Sequence, residues 1–266
     1  IKGGDKAAFL GELKSILATD DFKFSGARVK TSRPANDKHT EIAVVCSSDL
    51  HLTETVRPED ANGINVYNSV IAANRLWEHV QKVKSILARH MGLYNISKIW
   101  SPLLGDVISG TIHQEFVATN DLSDSAAVCL GARLMYMFYE ELKGLGLPIE
   151  ISAVHGNHAR LTPKMPTKRQ AHTNLDWQLY EWLADKLGGD DQIKLDICTA
   201  QIGSKKLFDW TYLYEHGIGV PSGGEEAFED RLRAMFDDPT FREANGNTGA
   251  SFDQVVIGNM HKPKFL

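Results

Sequence analysis

Asp49 and His51 stand one residue apart directly after an apolar run, a spacing that suits a cation site. In an extended segment, side chains two positions apart point to the same side, so this carboxylate and this imidazole can contact one cation. Asn259 and His261 repeat the spacing near the other end of the sequence. Either pair alone is weak evidence, because short polar pairs of this kind also arise by chance in loops.

Three further motifs carry residues of the same chemistry. Asp106 follows Gly105, and a carboxylate can bridge two cations about 3.5–4 Å apart. Asn157 offers a neutral amide oxygen, and the adjacent His158 offers an imidazole that can hold or move a proton. His216 stands alone at the end of an apolar run. Taken singly, Asp106 could be a capping residue and His216 a hydrogen-bonded structural histidine.

The elements that must position these motifs follow from hydrophobic patterning. Short apolar runs rich in β-branched residues predict strands, which we place at 41–46, 96–104, 149–154, 193–198, 206–214 and 254–258. Apolar residues at helical spacing predict helices, which we place at 66–91, 124–143, 175–187 and 224–236. Each polar motif directly follows a predicted strand. Because sites in α/β proteins form where loops leave the carboxyl ends of strands, the motifs are expected to meet.

The repeated order of strand, motif and helix predicts an α/β fold, which we expect to be a two-sheet β-sandwich flanked by helices. Residues 41–266 are expected to form this domain. Residues 1–40 are expected to be an appendage, made of a short amphipathic helix at 6–18 and a polar, basic linker. Because the sequence starts at Ile1 and stops soon after His261, we expect it to be a piece of a longer polypeptide.

In order, the motifs read DLH, GD, GNH, a lone His, and GNMH. Together they resemble the calcineurin-like metallophosphoesterase pattern of DxH, GD, GNH, H and GHxH, over the stretch from Glu41 to Pro263. The resemblance implies the four-layer fold of that superfamily and a hydrolase that cleaves phosphate esters with two divalent metal ions. Mn²⁺ is the first expectation, with Fe, Zn²⁺ or Ni²⁺ as alternatives, because mixed nitrogen and oxygen ligands suit borderline transition metals.

The resemblance also implies roles for individual residues. The first metal would be held by Asp49, His51 and His261, the second by Asn157 and His216, with Asp106 bridging both. His158 would contact the phosphate and protonate or orient the leaving group, so that His158 and Asp106 are the expected catalytic residues. Asn157 and Arg160 are expected to contact the substrate. The metals would lower the pKa of a bridging water and clamp the phosphate oxygens.

One position departs from the family pattern. The first histidine of GHxH, which ligates the second metal in the family, is replaced here by Asn259. An amide oxygen can coordinate, but it binds a borderline cation less well than imidazole does. The second metal is therefore expected to bind more weakly than the first. The same departure keeps open a different class of function, a metallophosphoesterase scaffold that has lost activity and serves in binding.

Two comparisons of motif detail narrow the branch. Protein Ser/Thr phosphatases carry motifs that resemble GDxxDRG and GNHE, whereas this chain has GDVISG and GNHAR, so that branch is set aside. The segments GDVISGTIHQE, GNHAR and YNSVIAANR are more similar to metallophosphoesterases encoded by bacteriophages and prophages.

The substrate class is indicated by charge near the GNH motif. A run of cations follows His158, with no acidic residue before Asp176: Arg160, Lys164, Lys168 and Arg169. Such a run could receive a polyanion, so a phosphodiesterase or nuclease that acts on DNA or RNA is the leading expectation. A phosphomonoesterase or cyclic-nucleotide phosphodiesterase is the alternative, because the net charge of −5 and the acidic residues between 224 and 238 argue against a broad grip on nucleic acid.

Location is inferred from what the sequence contains. Its three cysteines form no CxxC pair and lie in apolar stretches, which predicts reduced thiols in the core and a reducing compartment. We recognise no signal peptide and no apolar run long enough to cross a bilayer. A cytoplasmic protein with no membrane contact is expected, in a bacterial host cell if the chain is phage-encoded.

Overall fold

The computed structural model describes residues 40–166, 168–218, 230–231, 233–234 and 252–259. Within them the chain is an α/β structure with a four-stranded parallel sheet, a second sheet of three strands, and helices. The predicted helix at 6–18 and all of the predicted linker except Thr40 lie outside these residues, as does the predicted ligand His261. No helix among the described residues is long and apolar enough to cross a membrane.

The first sheet has its strands in chain order, β1-β2-β3-β4, and every neighbouring pair is parallel. Its strands are β1 (Thr40–Val44), β2 (Asn95–Leu103), β3 (Ile149–Ala153) and β4 (Ile193–Ile197). All four were predicted from their apolar runs. Because parallel strands point the same way, the loops after β1, β2 and β3 leave the same edge of the sheet.

Helices connect these strands. They are α1 (Ser69–His90), the short α2 (Gln114–Thr119), α3 (Asp124–Lys143) and α4 (Leu175–Leu187). The bounds predicted for α3 and α4 are those observed, and α2 was not predicted. The Asn68 side chain caps α1 by accepting from the Ile71 N–H, and Asn174 caps α4 by accepting from the Asp176 N–H. Of the helix predicted at 224–236, only residues 230, 231, 233 and 234 are described, and they are helical.

The two faces of the first sheet bury different apolar cores. Ile99 and Ile151 pack into a large core with α1, α3 and α4. Their chain neighbours point the other way, as alternation along a strand requires. Trp100 accordingly packs with Leu207 and Tyr214 of the second sheet, and its ring centroid lies 6.2 Å from that of Tyr214. The two sheets therefore contact each other through apolar side chains.

The second sheet has the order β5-β6-β7. Its strands are β5 (Ile202–Leu207), β6 (Trp210–Glu215) and β7 (Gln254–Ile257), with β5 and β6 antiparallel and β6 and β7 parallel. The single strand predicted at 206–214 is wrong, since the chain turns at Phe208, whose φ is 54°. An ion-pair link joins the sheets, because Glu150 of β3 binds both Lys98 of β2 and Lys205 of β5.

All three cysteines are free thiols. The prediction that they are core residues is wrong for Cys46, whose side chain is exposed, while Cys129 and Cys198 are half-buried. Cys46 follows β1, an edge strand of the first sheet, so only one neighbouring strand is available to cover it.

Candidate metal centre

The loops after β1, β2 and β3 are joined by main-chain hydrogen bonds at the carboxyl edge of the first sheet. The Asp49 N–H donates to the Gly105 carbonyl at 3.1 Å, and the His51 N–H donates to the Asp106 carbonyl at 3.0 Å. Gly105, at a φ of 85°, lies against the backbone of Gly156, where an added Cβ would collide. The glycines of the GD and GNH motifs therefore allow these two loops to touch.

Asp106 lies at the centre of the predicted site and is 1% exposed. Its Oδ1 accepts a hydrogen bond from the His158 N–H at 2.8 Å, and its Oδ2 lies 3.0 Å from Nε2 of His216. Two groups of side chains that could hold a cation share it, with ligand atoms within 4.8 Å of one another in each group: His51, Asp106 and His158, and Asp49, Asp106 and His216. A carboxylate shared by two such clusters can bridge two cations.

His216 shows how the second cluster is arranged. Its Nδ1 lies 2.7 Å from the Leu104 carbonyl oxygen, which can only accept a hydrogen bond, so Nδ1 carries a proton. In a neutral ring, Nε2 then presents a lone pair toward Oδ2 of Asp106 and toward Oδ1 of Asn157 at 2.8 Å. Nε2 of His216, Oδ2 of Asp106 and Oδ1 of Asn157 therefore converge as three hydrogen-bond acceptors. Either a second proton on the His216 ring or a cation between the three atoms would satisfy them.

The pKa of His216 agrees with this picture. Burial alone would lower it, but the hydrogen bond and the charge of Asp106, together with Asp49 and the Leu104 carbonyl, raise the pKa above its usual value. Burial would raise the pKa of Asp106, and His216 and His158 hold it below its usual value. The pocket thus favours positive charge at Nε2. A divalent cation bound there would satisfy the same three acceptors, so the side chains fit the predicted metal.

Asp49 and Asn259 meet across the two sheets. Oδ2 of Asp49 accepts hydrogen bonds from the Ser48 hydroxyl and from the Asn259 N–H, the latter at 2.9 Å. Oδ1 of Asp49 lies 3.9 Å from Nε2 of His51. Gly258 has no room for a side chain, because a Cβ would collide with Ser48 and approach Asp49. The backbone of Asn259 lies at the site, coordination by its side chain stays a prediction, and His261 is outside the described residues.

Strained backbone concentrates at the same positions. Seven non-glycine residues in the described chain have a positive φ, and four of them are predicted ligands: Asp49, His51, Asp106 and Asn259. A side chain in this region of the backbone costs on the order of 1–3 kcal/mol and persists only where the surrounding structure imposes it. Asp, Asn and His adopt this region more readily than most residues do, and backbone of this kind clusters at functional sites.

Asp176 is a site residue that the sequence prediction missed. It is fully buried at the start of α4. Its Oδ2 accepts from the N–H groups of Asp106 at 2.8 Å and Gly156 at 3.0 Å, and its Oδ1 accepts from the Ile108 N–H at 3.3 Å. Burial and the charge of Asp106 raise the pKa of Asp176 to about 7. This carboxylate therefore holds the GD and GNH loops in register behind the site.

His158 projects toward aromatic side chains. Its ring meets that of His51 edge-on, with centroids 4.8 Å apart. The rings of His113 and Phe116 lie 5.8 and 5.7 Å from it. Burial, ahead of the charges of nearby groups, lowers the pKa of His158. Its Nδ1 is buried and has no hydrogen-bond partner among the residues that the structure describes.

Arg160, predicted to contact the substrate, makes contacts with its own loop. Its guanidinium donates to the carbonyl oxygens of Asn157, Thr162 and Pro163, the last two at 3.0 and 2.9 Å. Three of its five N–H donors are therefore engaged in shaping the loop after the GNH motif. The exposed cations of this stretch are Lys164, Lys168 and Arg169.

No family model matches the chain, and no curated protein matches it at a significant level.

Proposed function

We propose that this chain hydrolyses phosphate esters with two divalent cations held around Asp106, and that its substrate is a phosphodiester of nucleic acid. The observation that carries the proposal is that Asp106 belongs to both candidate ligand clusters. A single buried carboxylate shared by two histidine-containing clusters is more than a structural ion pair needs. It is the arrangement expected of a bridging ligand.

The finer fold belongs to the same proposal. The contact of Trp100 with Tyr212 and Tyr214, and the link from Glu150 to Lys205, support a two-sheet sandwich with helices outside it. In such a four-layer arrangement the carboxyl ends of β1, β2 and β3 would face those of β6 and β7. The hydrogen bond between Asp49 and Asn259 supports this placement.

Two bound cations would supply Lewis-acid activation of water and would neutralise phosphate charge. Asp49, His51, Asp106, Asn157 and His216 would hold them, and Mn²⁺ is the proposed metal. The protein itself orients the side chains that would hold the cations. The Leu104 carbonyl orients the His216 ring, and the His158 N–H orients the carboxylate of Asp106.

His158 is proposed to act on the leaving group. Its lowered pKa favours the neutral ring when no phosphate is bound. A phosphate placed beside it would favour the protonated ring, since an opposite charge at short range raises a histidine pKa. The ring could then donate that proton to the departing oxygen.

The preference for a diester of nucleic acid rests on the exposed cations that follow the GNH loop. Lys164, Lys168 and Arg169 lie on the segment that begins at His158, where they could contact phosphates flanking the reacting one. A small-molecule phosphomonoesterase or cyclic-nucleotide phosphodiesterase would need no such extended contact.

The test compares substrates with the purified chain and added Mn²⁺. Single-stranded DNA and RNA oligonucleotides, a cyclic nucleotide and p-nitrophenyl phosphate are offered in parallel. We expect cleavage of an oligonucleotide, loss of that cleavage with EDTA, and loss of it in Asp106→Asn but not in Asp191→Asn, an exposed control. Strong monoester hydrolysis without oligonucleotide cleavage would reject the nuclease proposal.

A binding scaffold without activity is the second candidate, and Asn259 is the observation that favours it. Asn259 places an amide where the metallophosphoesterase pattern has an imidazole, which is the stronger ligand for a borderline metal. Oligonucleotide binding without hydrolysis at any Mn²⁺ concentration would support this candidate over the enzyme.

A further inference from the structure

Two aromatic side chains form a small surface beside His158. His113 directly precedes α2 and Phe116 lies in its first turn, and their ring centroids are 5.5 Å apart. Both rings lie within 5.8 Å of the His158 ring. We call His113 and Phe116 the aromatic platform. It is continuous with the candidate site because both rings contact the residue proposed to face the phosphate.

The aromatic platform is not part of either apolar core formed by the described residues. His113 is exposed and Phe116 is half-buried. Folding alone gives limited reason for a phenyl ring at this place, because about 25 cal/mol is gained per Å² of apolar surface that is buried and Phe116 stays partly exposed outside both cores.

The segment that carries the aromatic platform is closed by two side-chain hydrogen bonds and contacts the site at Gly110. The Asn120 side chain donates to the Gly110 carbonyl at 2.7 Å, and the Thr111 hydroxyl donates to Asp124 at 2.7 Å. Gly110 in turn lies against the backbone of His158 and Ala159, where an added Cβ would collide. The two rings are thus held at a set distance from the GNH loop.

We infer that the aromatic platform stacks a nucleobase of the nucleotide whose phosphate lies at the candidate metal centre. The inference rests on the proposed function and names the part of the substrate that the protein recognises. An aromatic ring offers the flat apolar face on which bases stack, whatever the base. A base is joined to its phosphate through one sugar, so the base of the reacting nucleotide would lie near His158. Both rings of the aromatic platform contact that residue. The imidazole of His113 adds a polar edge to the stack.

The experiment measures kcat/KM on two oligonucleotides of equal length, one with ordinary bases and one with abasic sugars throughout, in Mn²⁺. The readout is the ratio of the two values. In the wild type the ratio should favour the base-bearing strand. Phe116→Leu, which keeps the apolar volume and removes the ring, should lower the ratio about tenfold. Phe116→Tyr, which keeps the ring, should retain it.

The matched control is Val117→Ala, an exposed apolar residue in the same helix that carries no ring. It should leave the ratio at the wild-type value. A wild-type ratio near one, or a Phe116→Leu ratio equal to that of the wild type, overturns the inference while the nuclease function stands. Failure of the wild type to cleave either strand overturns the nuclease function and this inference with it, so the two failures are distinguishable.

Discussion

The carboxylate of Asp176 lies directly behind Asp106 and accepts a hydrogen bond from its backbone N–H at 2.8 Å. The same oxygen accepts from Gly156 at 3.0 Å, so one side chain of α4 joins the two loops that present Asp106, Asn157 and His158. Asp176 is thus a positioning residue for the candidate site, since it acts on the ligand loops and not on the substrate.

Asp176→Asn should weaken the site more than the fold. The carboxylate accepts from three backbone N–H groups, and the NH₂ of an amide would face at least one of them. The buried donors left unsatisfied would lower the free energy of unfolding by about 1–3 kcal/mol. We expect a higher Mn²⁺ requirement for half-maximal activity together with a modest loss in thermal stability. Asp185→Asn, on the exposed face of the same helix, is the control and should change neither. A variant that loses stability while its Mn²⁺ requirement stays at the wild-type value would show a purely structural role.

His158→Ala should separate metal binding from turnover. The substitution keeps the backbone N–H that donates to Asp106, so the bridging carboxylate stays oriented. If the ring acts on the leaving group, turnover should fall by about 10²–10⁴ while bound Mn²⁺, measured by elemental analysis, stays near the wild-type amount. His90→Ala is an exposed control. Because His158 also lies in one of the ligand clusters, loss of metal in the variant would instead make it a ligand.

Asn259→His should tighten the weaker cation position. Residue 259 has a φ of 61°, a conformation that histidine tolerates better than most side chains do. Imidazole binds borderline metals more strongly than an amide, so half-maximal activity should need less Mn²⁺. Isothermal titration calorimetry measures the Mn²⁺ affinity of the wild type, of Asn259→His and of Asn259→Ala, which removes the amide. Equal affinity in the histidine variant and the wild type would remove position 259 from the ligand set.

Glu150 should make stability depend on pH away from the site. Burial would raise its pKa, but the hydrogen bonds and charges of Lys205 and Lys98 hold the pKa below its usual value of 4.5. A carboxyl whose folded pKa is depressed stabilises the fold above its unfolded pKa, and that contribution is lost as the pH falls through the folded value. The wild type should therefore exceed Glu150→Gln in free energy of unfolding at pH 7.

That difference should shrink as the pH is lowered from about 4.5 toward the depressed folded value, which urea unfolding at several pH values can follow. Glu78→Gln is the matched control. Glu78 pairs with Lys82 on the surface, where such pairs contribute about 0–1 kcal/mol. A difference for Glu150→Gln that stays constant as the pH falls would show that its effect is steric and not electrostatic.

Hydrophobic pattern and capping chemistry were enough to predict most of the elements. The bounds of α3 and α4 agree with the prediction because each begins at a polar capping position and carries a continuous apolar face. The turn at Phe208 and Asp209 was missed because apolar and aromatic residues lie on both sides of it and no glycine marks the left-handed position. Sequence alone does not show that the surrounding strands impose this conformation.

The predicted ligands could be expected to meet because each follows a strand. The structure brings six of them together: Asp49, His51, Asp106, Asn157, His216 and Asn259. Asp176 could not be found in this way. Its partners Asp106 and Gly156 lie 70 and 20 positions away in the chain, so its function exists only in the folded structure. The one local sign was the capping pattern of Asn174 and Asp176 before an apolar run.

The hydrogen bond from Asn259 to Asp49 spans 210 positions of the chain. It depends on β7, which can pair with β6 only after the ribosome has released it. A nascent chain made as far as His216 carries the first four motifs, but it lacks the N–H that Asn259 supplies to Asp49 until residue 259 has been added. The centre is completed last, so a polypeptide truncated before β7 would lack this contact even if its first sheet had formed.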